Sequence, residues 1–399
     1  MRTVDTRVVV VGAGPAGLTL GVLLRRRGID CVVVDKFTRE QLLARSRAGF
    51  LERRTVQLLD RHGLSARLRA EGLAHTRCEI HAEGERVIVD YEAWCGDAPS
   101  YVYPQQDVVA DLLDAYVGEG GTLLLGRPVT EVVPDEARVV CADGTEIRGD
   151  VVAGADGWHG PTRAALPDSA FTRYDVPHDA RLLGALVQAP PSAGHTVYAQ
   201  HPDGFAGHML RSRDVTRMYL QIPSGDTVEQ WPDDRIWKEL HMRLDLPDWT
   251  LDEGPVLDRA IVDMHTKVVE PMHHGRVVLL GDAAHIVPPS GGKGMNLAMA
   301  DAADLAVSLP AHFAGEAPLA DVLTSYSGRR LADVWQVQEF SHTMLELLHA
   351  DDPGTPHAPY RERLRRARWQ RLRDDPAYVR SFAEQYMGPS IGEQPGSRA

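Results

Sequence analysis

A nearly uninterrupted β-branched run, Arg7–Val11, leads straight into Gly12-Ala-Gly14-Pro-Ala-Gly17, followed by Leu20, Leu23 and Leu24 at helical spacing. A second run, Asp30–Val34, ends in Asp35. A buried strand that turns into a helix through glycines at this spacing predicts a βαβ unit. The first glycine makes the tight turn, the second lets phosphates approach the backbone, and the third lets helix and strand pack closely. The helix start adds unpaired amides and the positive end of a dipole. Asp35, roughly 20 positions on, can accept from a ribose hydroxyl. Gly12, Gly14, Ala16, Gly17 and Asp35 are therefore candidate nucleotide-binding positions.

Two later stretches extend this unit. Arg276–Leu280 is long enough for one buried strand, and Met295–Leu309 carries Ala298, Ala302, Leu305 and Leu309 at helical spacing. Between them lies GDAAHIVPPSGGKGMN, Gly281–Asn296, a Pro/Gly-rich turn with Asp282 at the carboxyl end of the strand, where open α/β sheets bind ligands. Read alone, it is equally a βα corner whose Gly and Pro serve only the turn. The other stretch is a hairpin signal, Asp143-Gly144 between Val139–Ala142 and Glu146–Val152, running into Gly154-Ala-Asp156-Gly157-Trp158-His159-Gly160 with Arg163 behind it.

From about Asp175 to Thr266 strand-like runs replace helical periodicity: Leu182–Gln188, Thr196–Gln200, Phe205–Leu210 and Arg217–Ile222. Helical patterns return at Val322–Leu331, Val334–His349, Pro359–Arg373 and Pro376–Met387, before a Gly/Pro/Ser-rich tail expected to fray. The expectation is an α/β fold: a Rossmann-like domain in two parts, residues 1–174 and 267–340, an inserted mostly antiparallel β-sheet substrate domain, residues 175–266, and a helical C-terminal region, residues 341–399. A ligand pocket is expected where the domains meet.

Forty-three Lys and Arg against 56 Asp and Glu give a net charge of −13, which argues against nucleic acid as a partner. The basic segment RERLRRARWQRLR, Arg361–Arg373, reads as a solvated helix face with Leu364 and Leu372 turned inward. No apolar run approaches the roughly 20 residues of a membrane span, and no signal peptide is evident, so a cytoplasmic protein without a membrane partner is expected. Cys31, Cys78, Cys95 and Cys141 form no CxxC, so neither a disulfide framework nor a metal site is expected.

GAGPAG, GADGWHG and GDAAHIVPPSGGKGMN in one chain resemble the class A flavoprotein aromatic hydroxylases. RAGFLE, VYAQHPDGFA, TRMYLQIP, VVEPM and AEQYMG extend the likeness end to end, and within the class it is most similar to the 4-hydroxybenzoate 3-monooxygenase group. The resemblance implies non-covalent FAD, with Gly12, Gly14 and Asp35 at its adenosine half and Arg45, Arg47 and Gln105 along its phosphates and flavin side. It implies that Asp156 helps close the nucleotide site, that Asp282 contacts the ribityl chain, and that the backbone at Gly294, Met295 and Asn296 lies under the isoalloxazine. His159 and Arg163 match the nicotinamide contacts, and Lys36 and Arg47 the cations facing its phosphates. NADPH is favoured over NADH, and O2 is the co-substrate.

For the substrate, a small aromatic acid, Tyr198 and Tyr386 match the phenol-facing tyrosines and His75 the outer end of their proton path. Arg211, with Tyr219 beside it, matches the carboxylate partner, and Pro289 and Ser290 the loop against the phenol hydroxyl. The implied reaction is hydroxylation of a 4-hydroxybenzoate-like acid ortho to its hydroxyl, by way of a C4a-hydroperoxyflavin. Departures cluster in the pocket: Met209 replaces a serine of the family, Leu182, Thr196 and Gly207 replace bulkier groups, and His265 stands in place of an arginine. Smaller side chains leave room for an amino- or dihydroxy-substituted benzoate. A flavin reductase that does not use O2 and a ligand-binding protein without turnover are the other readings. A homodimer is in keeping with the family.

Overall fold

A computed structural model gives the structure of the chain and describes residues 3–45, 47, 49–96, 99–244, 246 and 248–388; the tail from 389 onward lies outside the described residues. The nucleotide sheet has six strands in the order His273–His274, Val277–Leu279, Val151–Gly154, Val8–Val11, Cys31–Val34 and Thr122–Leu124. All neighbours pair in parallel except the His273–His274 edge. The strand residues of Val8–Val11, Cys31–Val34 and Val151–Gly154 are buried throughout, as a sheet covered on both faces requires.

Two glycines show why the expected turn permits no side chain. Gly12 has φ +110°, and a Cβ there would lie 2.3 Å from the Ala155 carbonyl oxygen. A Cβ on Gly17 would lie 1.9 Å from the Gly12 oxygen. Asp35 accepts from the Ala13 amide at 2.6 Å and the Phe37 amide at 2.8 Å, tying the glycine turn to the end of the second strand. The predicted DG hairpin is present, with Val139 opposite Ile147, in a separate four-stranded sheet.

The second large sheet exceeds the expected insert. Its eight strands run His285–Ile286, Val256–Glu270, Thr172–Val187, Thr216–Ile222, Ala206–Leu210, Thr196–Ala199, Arg77–Ala82 and Glu85–Asp90. The last two come from well before residue 175, and Thr196–Ala199 joins them in parallel. One face packs on the helix Asp233–Leu244 through Leu183, Ala185, Met218 and Leu220; the other carries Leu182, Tyr198 and Phe205 against the C-terminal helices. The two helical patterns after residue 320 form one continuous helix, Leu319–Leu348. In the basic helix Ala358–Asp374, Leu372 and Trp369 are buried, but Leu364 faces outward, contrary to expectation. Its charges meet acids: Arg361 with Asp351, Arg368 with Glu346, Arg373 with Glu85. No helix among the described residues is long and apolar enough to cross a membrane.

The two large sheets are joined at one carboxylate. Asp301, fully buried in the helix Gly294–Phe313, accepts from the Gly281 amide at 2.8 Å, His285 Nε2 at 2.7 Å and Arg330 Nε at 2.8 Å. Gly281 follows the nucleotide strand Val277–Leu279, whereas His285 pairs with Val268 at the edge of the second sheet. Burial opposes ionisation of Asp301, but His285 and Arg330 outweigh it and hold the carboxyl below its ordinary range. Asp301→Ala takes from the buried Arg330 and His285 their shared carboxylate, leaving Arg330 only Asp333, and is expected to remove about 3–5 kcal/mol of stability, read as a lowered urea midpoint.

Candidate active site

The ends of the nucleotide strands converge on a cradle. Neither the helix Pro15–Arg26 nor the helix Gly294–Phe313 has a side-chain cap, so first-turn amides of both remain available to an anionic or electron-rich group. A Cβ on Gly14 would meet nothing within 4 Å, so the space before the first helix is open. Around it stand Arg45, whose guanidinium lies 4.7 Å over the Phe37 ring, and Lys36, 5.1 Å from the same ring. Arg47 reaches Asp282 at 3.5 Å, so two residues far apart in sequence meet. Asn296 uses its side chain internally: Oδ1 accepts from the Glu52 amide at 2.9 Å, and Nδ2 donates to the Phe50 and Gly292 carbonyls. Only its backbone is left for a ligand, and the same holds for Asp156, whose carboxylate accepts from the Thr162 amide and hydroxyl. It is the Ala155–Asp156 backbone that closes on Gly12. Open space, two uncapped helix starts and three cations fit a dinucleotide cofactor such as FAD.

Beside the cradle, His159 is exposed, and Arg163 stacks 4.1 Å over Trp158 while its Nε donates to the Trp158 carbonyl. His265 lies 3.9 Å from Asp175. Lys267, which sequence reasoning missed, pairs with that same Asp175 and lies 5.0 Å from Trp158. Residues 265 and 267 share a face of one strand, so strand alternation is the signal that could have found it.

The substrate face is set by register. Tyr198 pairs with Gly207, Gly207 with Tyr219, and Tyr219 with Gly184, so two tyrosines and two glycines form one row on one side of the sheet. The Tyr198 and Tyr386 hydroxyls are 2.7 Å apart and buried, and burial pushes both well above the ordinary tyrosine range. Tyr386 ends the helix Pro376–Tyr386. Phe50, also missed in the sequence, stands edge-on to Tyr386 at 5.7 Å and to His75 at 5.1 Å, and touches the late loop, where a Gly292 Cβ would lie 3.3 Å from it. In that loop Pro289 opens a short turn, and the buried Ser290 hydroxyl has no partner. Arg211, 6% exposed, follows the strand Ala206–Leu210 on the Met209 side and donates to the Arg47 carbonyl and to Gln106 Oε1. A crevice of about 330 Å³ opens there, between Leu73, Tyr103 and the Ser212–Asp214 turn. Gln105 starts the helix that presents Gln106, which sequence reasoning also overlooked.

A family model described as an FAD binding domain matches residues 5–341. The p-hydroxybenzoate hydroxylase of Acinetobacter baylyi is 34% identical over 394 residues, 97% of this chain and 96% of that protein. The 3-amino-4-hydroxybenzoate 2-monooxygenase of Streptomyces cremeus is 28% identical over 368 residues, 87% of this chain and 89% of that protein. The solved structure of p-nitrophenol 4-monooxygenase PnpA from Pseudomonas putida DLL-E4 shares the fold, with a TM-score of 0.80 at 23% identity over 97% of this chain and 99% of that one. The chain belongs to the class A flavoprotein aromatic hydroxylases. It is an FAD-dependent aromatic monooxygenase.

His75, expected at the outer end of the proton path, is 0% exposed; its Nε2 accepts from the Thr196 amide at 3.2 Å and lies 3.0 Å from Thr196 Oγ1. One expectation about this hydroxylase's pocket changes: Gly207 leaves no free room, because a Cβ there would meet Phe205 Cζ at 2.8 Å and Met209 Cε at 2.9 Å. The thioether and the ring already fill the space that the smaller residue vacates.

Burial pushes His75 down to about 3 and His208 and His349 to about 4. Below about pH 6.5 the unfolded chain takes up protons that these folded imidazoles refuse. Stability is therefore expected to fall as pH drops from about 6.5 towards 4, with proton uptake on unfolding, and to be independent of the three groups above that window. Denaturant midpoints at about pH 7.5 and about pH 5 check this, and His349→Gln should make the decline shallower.

Proposed function

We propose that this hydroxylase acts on a 4-hydroxybenzoate-like phenolic acid ortho to its hydroxyl, with NADPH as reductant and O2 as co-substrate. The observation that carries this reading is the buried Tyr198–Tyr386 hydroxyl pair, 2.7 Å apart, on the sheet face that continues to Arg211. A phenol with a pKa of about 10 becomes a strong nucleophile only on losing its proton. Tyr198 accepts that proton as it passes its own to Tyr386, and Arg211 orients the carboxylate by paired hydrogen bonds. Leu182, Phe205 and Met209 keep water from the ring. Oxygen activation, after reduction by the nicotinamide coenzyme, is the chemistry that FAD supplies when bound. The p-hydroxybenzoate hydroxylase relative, matched over nearly the whole chain, supports the substrate class. Lys36, Arg47, His159 and Arg163 are proposed to receive the coenzyme, helped by Lys267, and the cytoplasm is the proposed location.

A panel of benzoic acids with NADPH and purified protein tests this. The expected outcome is that 4-hydroxybenzoate or a close analogue speeds NADPH oxidation at least about tenfold, with stoichiometric O2 uptake and an ortho-hydroxylated product. Reduction without O2 uptake would make the protein a reductase, and ligand binding without coenzyme oxidation a binding protein.

Met209 favours a second reading, a benzoate bearing a second hydroxyl or an amino group, the latter being what the Streptomyces cremeus relative's name describes. A thioether where the family places a serine removes a donor to the carboxylate, worth about 1.5–3 kcal/mol when the acceptor is charged. Met209→Ser is therefore expected to tighten 4-hydroxybenzoate binding about tenfold in a fluorescence titration of the holoenzyme.

A further inference from the structure

The Arg211 guanidinium is held where three elements meet: the end of the strand Ala206–Leu210, the loop through Arg47 and the first turn of the helix Gln105–Gly118. Nη1 donates to the Arg47 carbonyl, and Nη2 donates to Gln106 Oε1 at 2.8 Å. Both of these acceptors are uncharged. Arg211 is 6% exposed, and a guanidinium so far from water takes its direction from the groups that accept from it. Asp107 follows Gln106 in sequence and is near enough to act on Arg211, yet its carboxylate is engaged by Arg67 at 3.1 Å. A second cation stands close: the register sets Arg217 opposite Met209, and alternation puts it on the sheet face of Tyr219. Burial and then Arg217 loosen the hold of Arg211 on its proton, while Asp107 and Tyr219 act the other way and more weakly.

A guanidinium that anchors a carboxylate has two needs that conflict, a fixed direction and an uncompensated charge. A carboxylate at position 106 would meet the first by a charge-assisted pair and then compete with the carboxylate of the ligand. An apolar side chain would preserve the charge and leave the guanidinium loosely aimed. An amide oxygen meets both needs. We propose that Gln106 is the positioning residue of the carboxylate subsite: it aims Arg211 with a neutral oxygen, so that the guanidinium keeps its charge for an anionic ring acid and the site rejects neutral phenols. The proposal rests on the reading of Arg211 as the carboxylate partner. Met209, standing where the family places a serine, carries no donor, so affinity for the acid depends all the more on the charge and aim of Arg211.

The test uses the FAD-loaded protein and two ligands that differ in charge, 4-hydroxybenzoate and 4-hydroxybenzamide, titrated by flavin fluorescence against the parent, Gln106→Leu, Gln106→Glu and Arg211→Gln. Gln106→Leu removes the acceptor and leaves the cation. Gln106→Glu keeps an acceptor of the same length and adds a charge, since a carboxyl beside a guanidinium ionises. The acid is expected to bind about fourfold more weakly to Gln106→Leu and at least about twentyfold more weakly to Gln106→Glu, with the benzamide within about twofold of the parent in both. If Gln106 merely braced the fold, glutamate would restore what leucine loses. An acid affinity in Gln106→Glu equal to or better than that in Gln106→Leu therefore overturns the inference, as does a loss that falls equally on acid and amide. Should Gln106→Leu not fold, the acid-to-amide ratio in Gln106→Glu against the parent decides alone. Either failure leaves the functional reading standing when the parent prefers the acid and Arg211→Gln abolishes that preference. A parent without the preference, or an Arg211→Gln variant that keeps it, removes the carboxylate reading and the inference with it.

Discussion

Asp301 receives a backbone amide from the end of the nucleotide domain's strand, an imidazole from the edge of the substrate sheet and a guanidinium from the long helix Leu319–Leu348. Three separate elements are oriented by one pair of fully buried carboxylate oxygens. Such an arrangement is demanding, since desolvating a carboxylate and a guanidinium is favourable only when nearly every lone pair and N–H finds a partner. The geometry of the GDAAH turn follows from it. With the Gly281 amide and His285 fixed, Asp282 between them turns outward to Arg47, and the Pro-Gly loop starts from a defined edge. The cradle and the substrate face keep their relation because the same carboxylate touches both.

The far end of that loop is held by a second buried pair. Lys293 Nζ donates to Glu52 Oε1 at 2.8 Å and to the carbonyls of Gln385 and Tyr386, and lies 5.2 Å from the Tyr386 ring. Burial lowers the lysine's affinity for its proton and raises that of the glutamate, and each charge opposes the effect on the other. A cation is well placed at a helix C-terminus, where carbonyls lack intrahelical partners. The consequence reaches function: the last helix is pinned to the flavin-side loop at the residue whose hydroxyl faces Tyr198. Asn296, one turn on, binds the Glu52 amide, so the loop, the helix start and the strand Phe50–Leu51 form one block.

What the sequence discloses is governed by how local the causes are. The glycine turn is legible because Gly12 and Gly17 are forced by contacts within a few residues and one neighbouring strand. The tyrosine pair is legible only through family likeness, since nothing in the local pattern around Tyr198 or Tyr386 distinguishes a reactive hydroxyl from a packed one. The recruitment of Arg77–Asp90 into the substrate sheet escapes detection because Cys78, Ile80 and Ala82 alternate with polar residues over only six positions, a short and weak signal. Glu79 binds both His81 and His195 and the group is buried, so the side that reads as a solvent face in the sequence is covered in the fold. The sequence also cannot reveal that His75 is sealed from solvent, as the seal comes from Thr196, Phe50 and Tyr91 on three different elements. Tyr91 itself follows a hairpin and opens a five-residue helix, a place where a tyrosine attracts no notice.

The pocket residues that depart from the family form one coupled change. Gly207 and Gly184 flank Tyr219 in the same row, and the Cβ that either lacks would press on a neighbour: Phe205 and Met209 in one case, the Tyr219 ring in the other. Removing side-chain volume at 207 therefore did not enlarge the trough; it admitted a longer, more polarisable side chain from the next row. Methionine adapts to irregular space and carries no donor, so this face gains apolar surface close to Arg211, which is held by the Arg47 carbonyl and Gln106. Thr196, in that same row by register, is committed to His75. Of the four pocket departures, Leu182 and Met209 share the apolar cluster with Tyr198, whereas Gly207 is filled by Phe205 and Met209, and Thr196 is committed to His75.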